Sequence, residues 1–113
     1  MNRSLLRIPV FLLLLEVLIY AQKKPSINVS PARVKSGEQV MLTGIDFTPN
    51  RTVMSHLIKP DGSDYNPLRF RTNERGEFSH KIDTTMLDIG TFEVWVEDEA
   101  SKVASDRIRF TVE

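Results

Sequence analysis

The chain has 113 residues, 41% of them hydrophobic and 27% charged, with 15 basic residues against 15 acidic ones and no cysteine. Zero net charge leaves no electrostatic footprint for nucleic acid or for an anionic membrane surface. The missing cysteines exclude a disulfide framework, a thiolate nucleophile, a zinc ribbon and an iron–sulfur cluster, and two well-separated histidines, His56 and His80, offer little for a metal site or a triad.

Residues 1–21 differ from the rest. Arg3 and Arg7 precede an apolar run from Ile8 to Ala21 that only Pro9 and Glu16 interrupt. A positive start, an apolar run and a small residue at its end have the layout of a secretory signal peptide. The run is 14 residues by count, short of the roughly 20 that span a bilayer as a helix. The expectation is a cleaved signal over 1–21, a flexible leader over 22–25 and a domain over 26–113. An uncleaved N-terminal anchor is the alternative, and the one expected route to a membrane. The expected location is secreted, periplasmic or cell-surface. Without residues 1–21 the remaining 92 are only about 34% hydrophobic, so an exported domain without disulfides must rest on its core alone.

From residue 26 onward, period-two alternation recurs at short intervals broken by turn residues. Ile27 and Val29 form the first run, Val40 and Leu42 the second, and Thr52 to Lys59 the third, closed by Pro60-Asp61-Gly62. Leu68 and Phe70 mark the fourth, Phe78, His80 and Ile82 the fifth, Phe92, Val94 and Val96 the sixth, and Ile108, Phe110 and Val112 the seventh. No stretch keeps a helical period, and Thr84 to Leu87 suffices for one turn at most. The pattern predicts an all-β, seven-stranded antiparallel sandwich in one domain. Its expected core comprises Val53 and Leu57 of the third run, the apolar residues named for the other six from Ile27 to Val112, Leu68 included, and Val34, Phe47 and Leu87.

Asp88-Ile89-Gly90-Thr91-Phe92-Glu93-Val94 resembles the immunoglobulin-type approach to the sixth strand, with Phe92 in place of the corner tyrosine and Val94 in place of the cysteine. A wider set runs through most of the chain: Pro31-x-x-Val34-x-x-Gly37-Glu38-x-Val40, Leu42-Thr43-Gly44-x-x-Phe47-x-Pro49-Asn50, Pro60-Asp61-Gly62, Gly76-Glu77-Phe78 and Gly90-Thr91-Phe92. It is similar to the Ig-like modules of bacterial and archaeal secreted and surface proteins. The resemblance implies an immunoglobulin- or fibronectin-like fold, but such modules serve as spacers, stalks, adhesins and accessory domains, with no shared catalytic residues.

If Phe92, Val94 and Val96 face the core, Glu93, Trp95 and Glu97 face outward. If Val53 and Leu57 face inward on the third run, Met54, His56 and Ile58 face outward, and on the seventh Arg107 and Arg109 do so. An apolar centre of Trp95, Met54, His56 and Ile58 rimmed by Glu93, Glu97, Arg107 and Arg109 has the composition of an interaction patch. A one-residue slip would reverse these faces. The competing readings are a tryptophan covered by a neighbouring loop or by the leader, and a solvated tryptophan flanked by cross-strand charge pairs.

His80 alternates with Phe78 and Ile82 and reads as a half-buried core histidine. Asp46, Asp61, Asp64 and Asp98 fall in turns without the spacing of a calcium loop. No catalytic constellation is recognisable, so no enzyme activity, cofactor or metal is expected. The expected function is a non-enzymatic binding module whose partner is another exported or surface protein, or a second copy. A glycan stacked on Trp95 is the alternative, as is a passive structural domain held by an uncleaved anchor.

Overall fold

The computed structural model describes residues 24–113; the expected signal peptide over 1–21 lies outside them. Eight strands follow in order: β1 (Ser26–Ser30), β2 (Arg33–Val34), β3 (Gln39–Ile45), β4 (Thr52–Ile58), β5 (Leu68–Arg71), β6 (Phe78–Asp83), β7 (Gly90–Asp98) and β8 (Ile108–Val112). There is no helix among the described residues. The strands form a three-stranded sheet in the order β1-β3-β6 and a five-stranded sheet in the order β2-β8-β7-β4-β5. Two such sheets, face to face, make a β-sandwich.

The expected seven strands correspond to all of these except β2. That strand is two residues long, confined between Pro31 and Gly37, too short for alternation to register. It pairs parallel with β8, Arg33 beside Thr111 and Val34 beside Val112. Thr111 N–H donates to the Ala32 carbonyl, and Glu113 N–H donates to that of Val34. The chain therefore enters the second sheet directly after leaving the first.

The core is the sum of the inward positions. Val29, Val34, Val40, Leu42, Phe47, Val53, Phe78, Phe92, Val94, Val96, Phe110 and Val112 are buried, and every one lies at a position expected from the pattern. Phe92 and Phe110 stand directly opposite on β7 and β8 and stack at 5.3 Å. Phe47 meets the Phe78 ring edge-on at 5.3 Å. Burial of such side chains is the largest favourable contribution, on the order of 1.5–3 kcal/mol each.

Leu68 departs from expectation. It pairs with Ser55 and so belongs to the inner face, yet it is 53% exposed. β5 begins at this residue, on the outer edge of its sheet, where it borders an open cavity between the sheets. Leu68→Ser should therefore change the unfolding free energy by no more than about 0.5 kcal/mol. Chemical denaturation checks this; a cost of several kcal/mol would show that Leu68 is a core residue after all.

At the N-terminal side, Lys24 forms an ion pair with Asp106 and Pro25 is buried, within the segment expected to be a flexible leader. Buried polar groups tie the loops together. The Thr84 hydroxyl donates to the Glu38 carbonyl at 2.5 Å and accepts from Gly37 N–H at 3.0 Å. The Thr72 hydroxyl donates to the Thr48 carbonyl at 2.6 Å.

Candidate functional site

The pairing of β4 with β7 sets Met54 opposite Glu97, His56 opposite Trp95 and Ile58 opposite Glu93. On the other side of β7, Glu93 stands opposite Arg109, and Val94 opposite Ile108. One step further along that ladder brings Arg107 alongside Trp95. The register thus places Met54, His56, Ile58, Glu93, Trp95, Glu97, Arg107 and Arg109 on one outer face of the five-stranded sheet.

Trp95 is at the centre of that face and half-buried. The His56 imidazole lies parallel to the indole at 3.9 Å between centroids, with an interplanar angle of 6°. The Arg107 guanidinium carbon is 5.7 Å from the Trp95 ring centroid, within reach of a cation–π contact. β4 and β8 flank β7 on opposite sides, so His56 and Arg107 approach opposite faces of the indole. What the tryptophan offers outward is its edge, not a flat face.

The rim is charged in both signs. Arg109 Nε donates to Glu93 Oε2 at 3.4 Å. Arg69, opposite Met54 on β5, pairs with Glu99 at 3.4 Å. Arg69 was not among the residues expected here. Its alternation with Leu68 and Phe70 was the available signal, but only the pairing of β5 with β4 shows which outer face it joins. The Thr91 and Thr111 hydroxyls meet at 3.1 Å toward the far side. Met54, His56, Ile58, Glu93 and Glu97 are half-buried, while Arg107 and Arg109 are exposed. Partly covered apolar groups thus sit inside a rim of both charges, with Glu93 held by Arg109 and Glu99 by Arg69.

Asp98 is chemically the most constrained carboxylate. It is 2% exposed. Its Oδ2 accepts from Thr48 N–H and from the Thr48 hydroxyl, both at 2.7 Å, and its Oδ1 accepts from Ala100 N–H at 3.0 Å and Ser101 N–H at 3.4 Å. Burial alone would raise its pKa; the donated hydrogen bonds outweigh that and hold it below the ordinary carboxylate range. The residue is the last of β7, opposite Val53, rather than in the turn expected for it, and its bonds tie that strand end to Thr48 and to the loop that follows. Asp61 accepts from the backbone and hydroxyl of Ser63 two residues on, as turn aspartates do. Among the described residues no group of three His, Asp or Glu side chains is placed to hold a metal ion.

His80 points inward, half-buried, with its ring 4.4 Å from that of Phe70. It lies on β6, in the opposite sheet from His56.

No protein-family model matches the chain, and no curated protein matches its sequence. Solved structures share the fold. Macromomycin superposes with a TM-score of 0.55 at 9% identity, covering 79% of this chain and 99% of its own. CHIR-AB1 superposes with a TM-score of 0.50 at 19% identity, covering 80% of this chain and 99% of its own. At such identities the likeness extends to the sandwich and no further. A weaker likeness, with a TM-score of 0.42 at 19% identity over 79% of this chain and 92% of the other, reaches the PKD domain of an M14-like peptidase from a Thermoplasmatales archaeon.

Proposed function

We propose that this chain is a secreted, non-enzymatic Ig-like module that binds another protein at the cell surface or in the periplasm through the outer face centred on Trp95. The observation that carries this reading is the stack of His56 on Trp95, with the Arg107 guanidinium 5.7 Å from the indole centroid, set among Met54 and Ile58 and bordered by Glu93–Arg109 and Arg69–Glu99. The stack fixes a large aromatic group in one orientation, so little side-chain entropy remains to be lost on association. The charged rim supplies orientation and selectivity. Export follows from the layout of residues 1–21.

The glycan reading is less well supported. Stacking a sugar needs an open aromatic face, and both faces of Trp95 have occupants.

Trp95→Ala tests the proposal. The variant should keep the sandwich, losing no more than about 1–2 kcal/mol of unfolding free energy. Capture of an exported partner by the immobilised domain, from the surface and supernatant fractions of the source cells, should fall at least about tenfold, or about 1.4 kcal/mol. Capture that is undiminished while the variant remains folded would reject the face.

A further inference from the structure

The two sheets do not close on each other along the side where β5 leads into β6. β5 begins opposite Ser55 of β4, and beyond it Asp64 and Tyr65 continue along β4, Tyr65 N–H donating to the Leu57 carbonyl at 3.0 Å. Among the described residues β6 is an edge strand, paired with β3 alone. Between them opens a cavity of about 370 Å³ walled by Ser55, Leu57, His80, Ile82, Leu87 and Val94. That volume takes more than one side chain and lies at the lower end of ligand pockets. Burial pushes the His80 pKa down, so at neutral pH its imidazole adds no charge to the inner wall.

The free edge of β6 opens on the same cavity. Thr84 N–H donates to the Glu38 carbonyl, one step beyond the Gln39–Asp83 pair. Hydrogen-bonded pairs alternate along an antiparallel ladder. Ile82 and His80 therefore exchange bonds with Val40 and Leu42 of β3. Ser79, Lys81 and Asp83 turn their N–H and C=O groups away from β3, toward the mouth of the cavity. Their side chains are exposed on the outer face. An unpaired backbone row beside an apolar cavity, with one positive and one negative side chain in alternate positions, specifies an occupant in some detail.

We propose that this edge and cavity bind an extended peptide, which adds antiparallel to β6 as a fourth strand of the three-stranded sheet. Two apolar side chains, two residues apart in the peptide, enter the cavity opposite Ile82 and His80. Between them an acidic residue stands opposite Lys81 on the outer face, and a basic residue stands opposite Asp83. Backbone bonds at Ser79, Lys81 and Asp83 supply the pairing, the cavity supplies apolar burial, and the two charges set the register. The site is separate from the Trp95 face, and either can fail without the other.

The probe is a capped, fluorescently labelled pentapeptide of sequence lysine, leucine, glutamate, leucine, threonine, titrated by anisotropy against the domain. In the proposed register the glutamate N–H faces β6, and the N–H of the leucine after it faces away. Methylating the glutamate nitrogen should weaken binding at least about tenfold; methylating that leucine nitrogen should change it less than about twofold. Exchanging the lysine and glutamate should weaken binding severalfold, and Trp95→Ala should leave it unchanged. Equal sensitivity to the two methylations, or no binding of the parent peptide at about millimolar concentration, overturns the proposal. Because the methyl groups are carried by the peptide, the result does not depend on whether a protein variant folds.

Discussion

Gly76→Ala should cost the domain about 3 kcal/mol or more, a large effect for one methyl group. Gly76 is buried in the connection between β5 and β6 with a φ of 74°, in the left-handed region that a Cβ disfavours by roughly 1–2 kcal/mol. The added carbon would also lie 2.0 Å from the Phe47 carbonyl oxygen. That oxygen is backbone and cannot rotate aside. The neighbouring contacts hold the approach in place: Phe47 N–H donates to the Gly76 carbonyl at 3.1 Å, and Asn73 Oδ1 accepts from the N–H groups of Arg75 and Glu77, both at 2.9 Å. Gly62 is the internal control. Its φ is 89°, but nothing lies within 4 Å of an added Cβ, so Gly62→Ala should cost only about 1 kcal/mol. Thermal unfolding separates the two variants, at roughly 4–8 °C per kcal/mol for a domain of this size. Equal losses would mean that the contact with Phe47 relaxes freely.

Asp98→Ala should cost about 3–5 kcal/mol. It removes the acceptor for the Thr48 N–H and hydroxyl and for the Ala100 and Ser101 N–H groups, part of a buried cluster that water reaches poorly. The same carboxylate gives the domain an acid limb. Its folded pKa is lowered from an unfolded value near 3.8, so the folded state binds the proton less readily than the unfolded state. The contribution is complete above the unfolded pKa and is lost as pH falls through the folded one. Urea unfolding from pH 6 down to about 2 should show stability falling below about pH 4 in the parent and a shallower fall in Asp98→Ala. Exposed Asp61 and Asp83 also have lowered pKa values, through their bonds to Ser63 and Thr85, so the variant should keep a residual slope. An unchanged slope would place the acid sensitivity elsewhere.

Alternation made the buried set legible because each strand presents one face to the interior, and a two-residue period reads that face without knowledge of neighbours. Pairing is a different kind of information. Nothing local to Trp95 states that His56 lies against it, and nothing local to Arg69 states that it sits beside Met54; both depend on the registers of β4 with β7 and β5. The loop contacts were illegible for a related reason. Asp98 reads as a turn residue, and nothing local singles out Thr48; their bond spans 50 positions in the chain. Leu68 shows the limit of the face rule itself. An inward position is buried only if the facing sheet extends over it, and at the start of β5 it does not.

The parallel run of β2 beside β8 also decides how the domain would take a load. Once β1 has released from β3, force between Lys24 and Glu113 draws β2 toward its beginning and β8 toward its end. Two parallel strands pulled this way slide along each other. The bonds that resist are Thr111 to Ala32, Glu113 to Val34 and Ser36 to Glu113, and they lie across the pull, so they share the tension and must give way together. An antiparallel pair tensioned from its open end would release its bonds one by one. A two-residue strand, too short to show in the sequence pattern, thus turns unzipping into shear between the two ends of the domain.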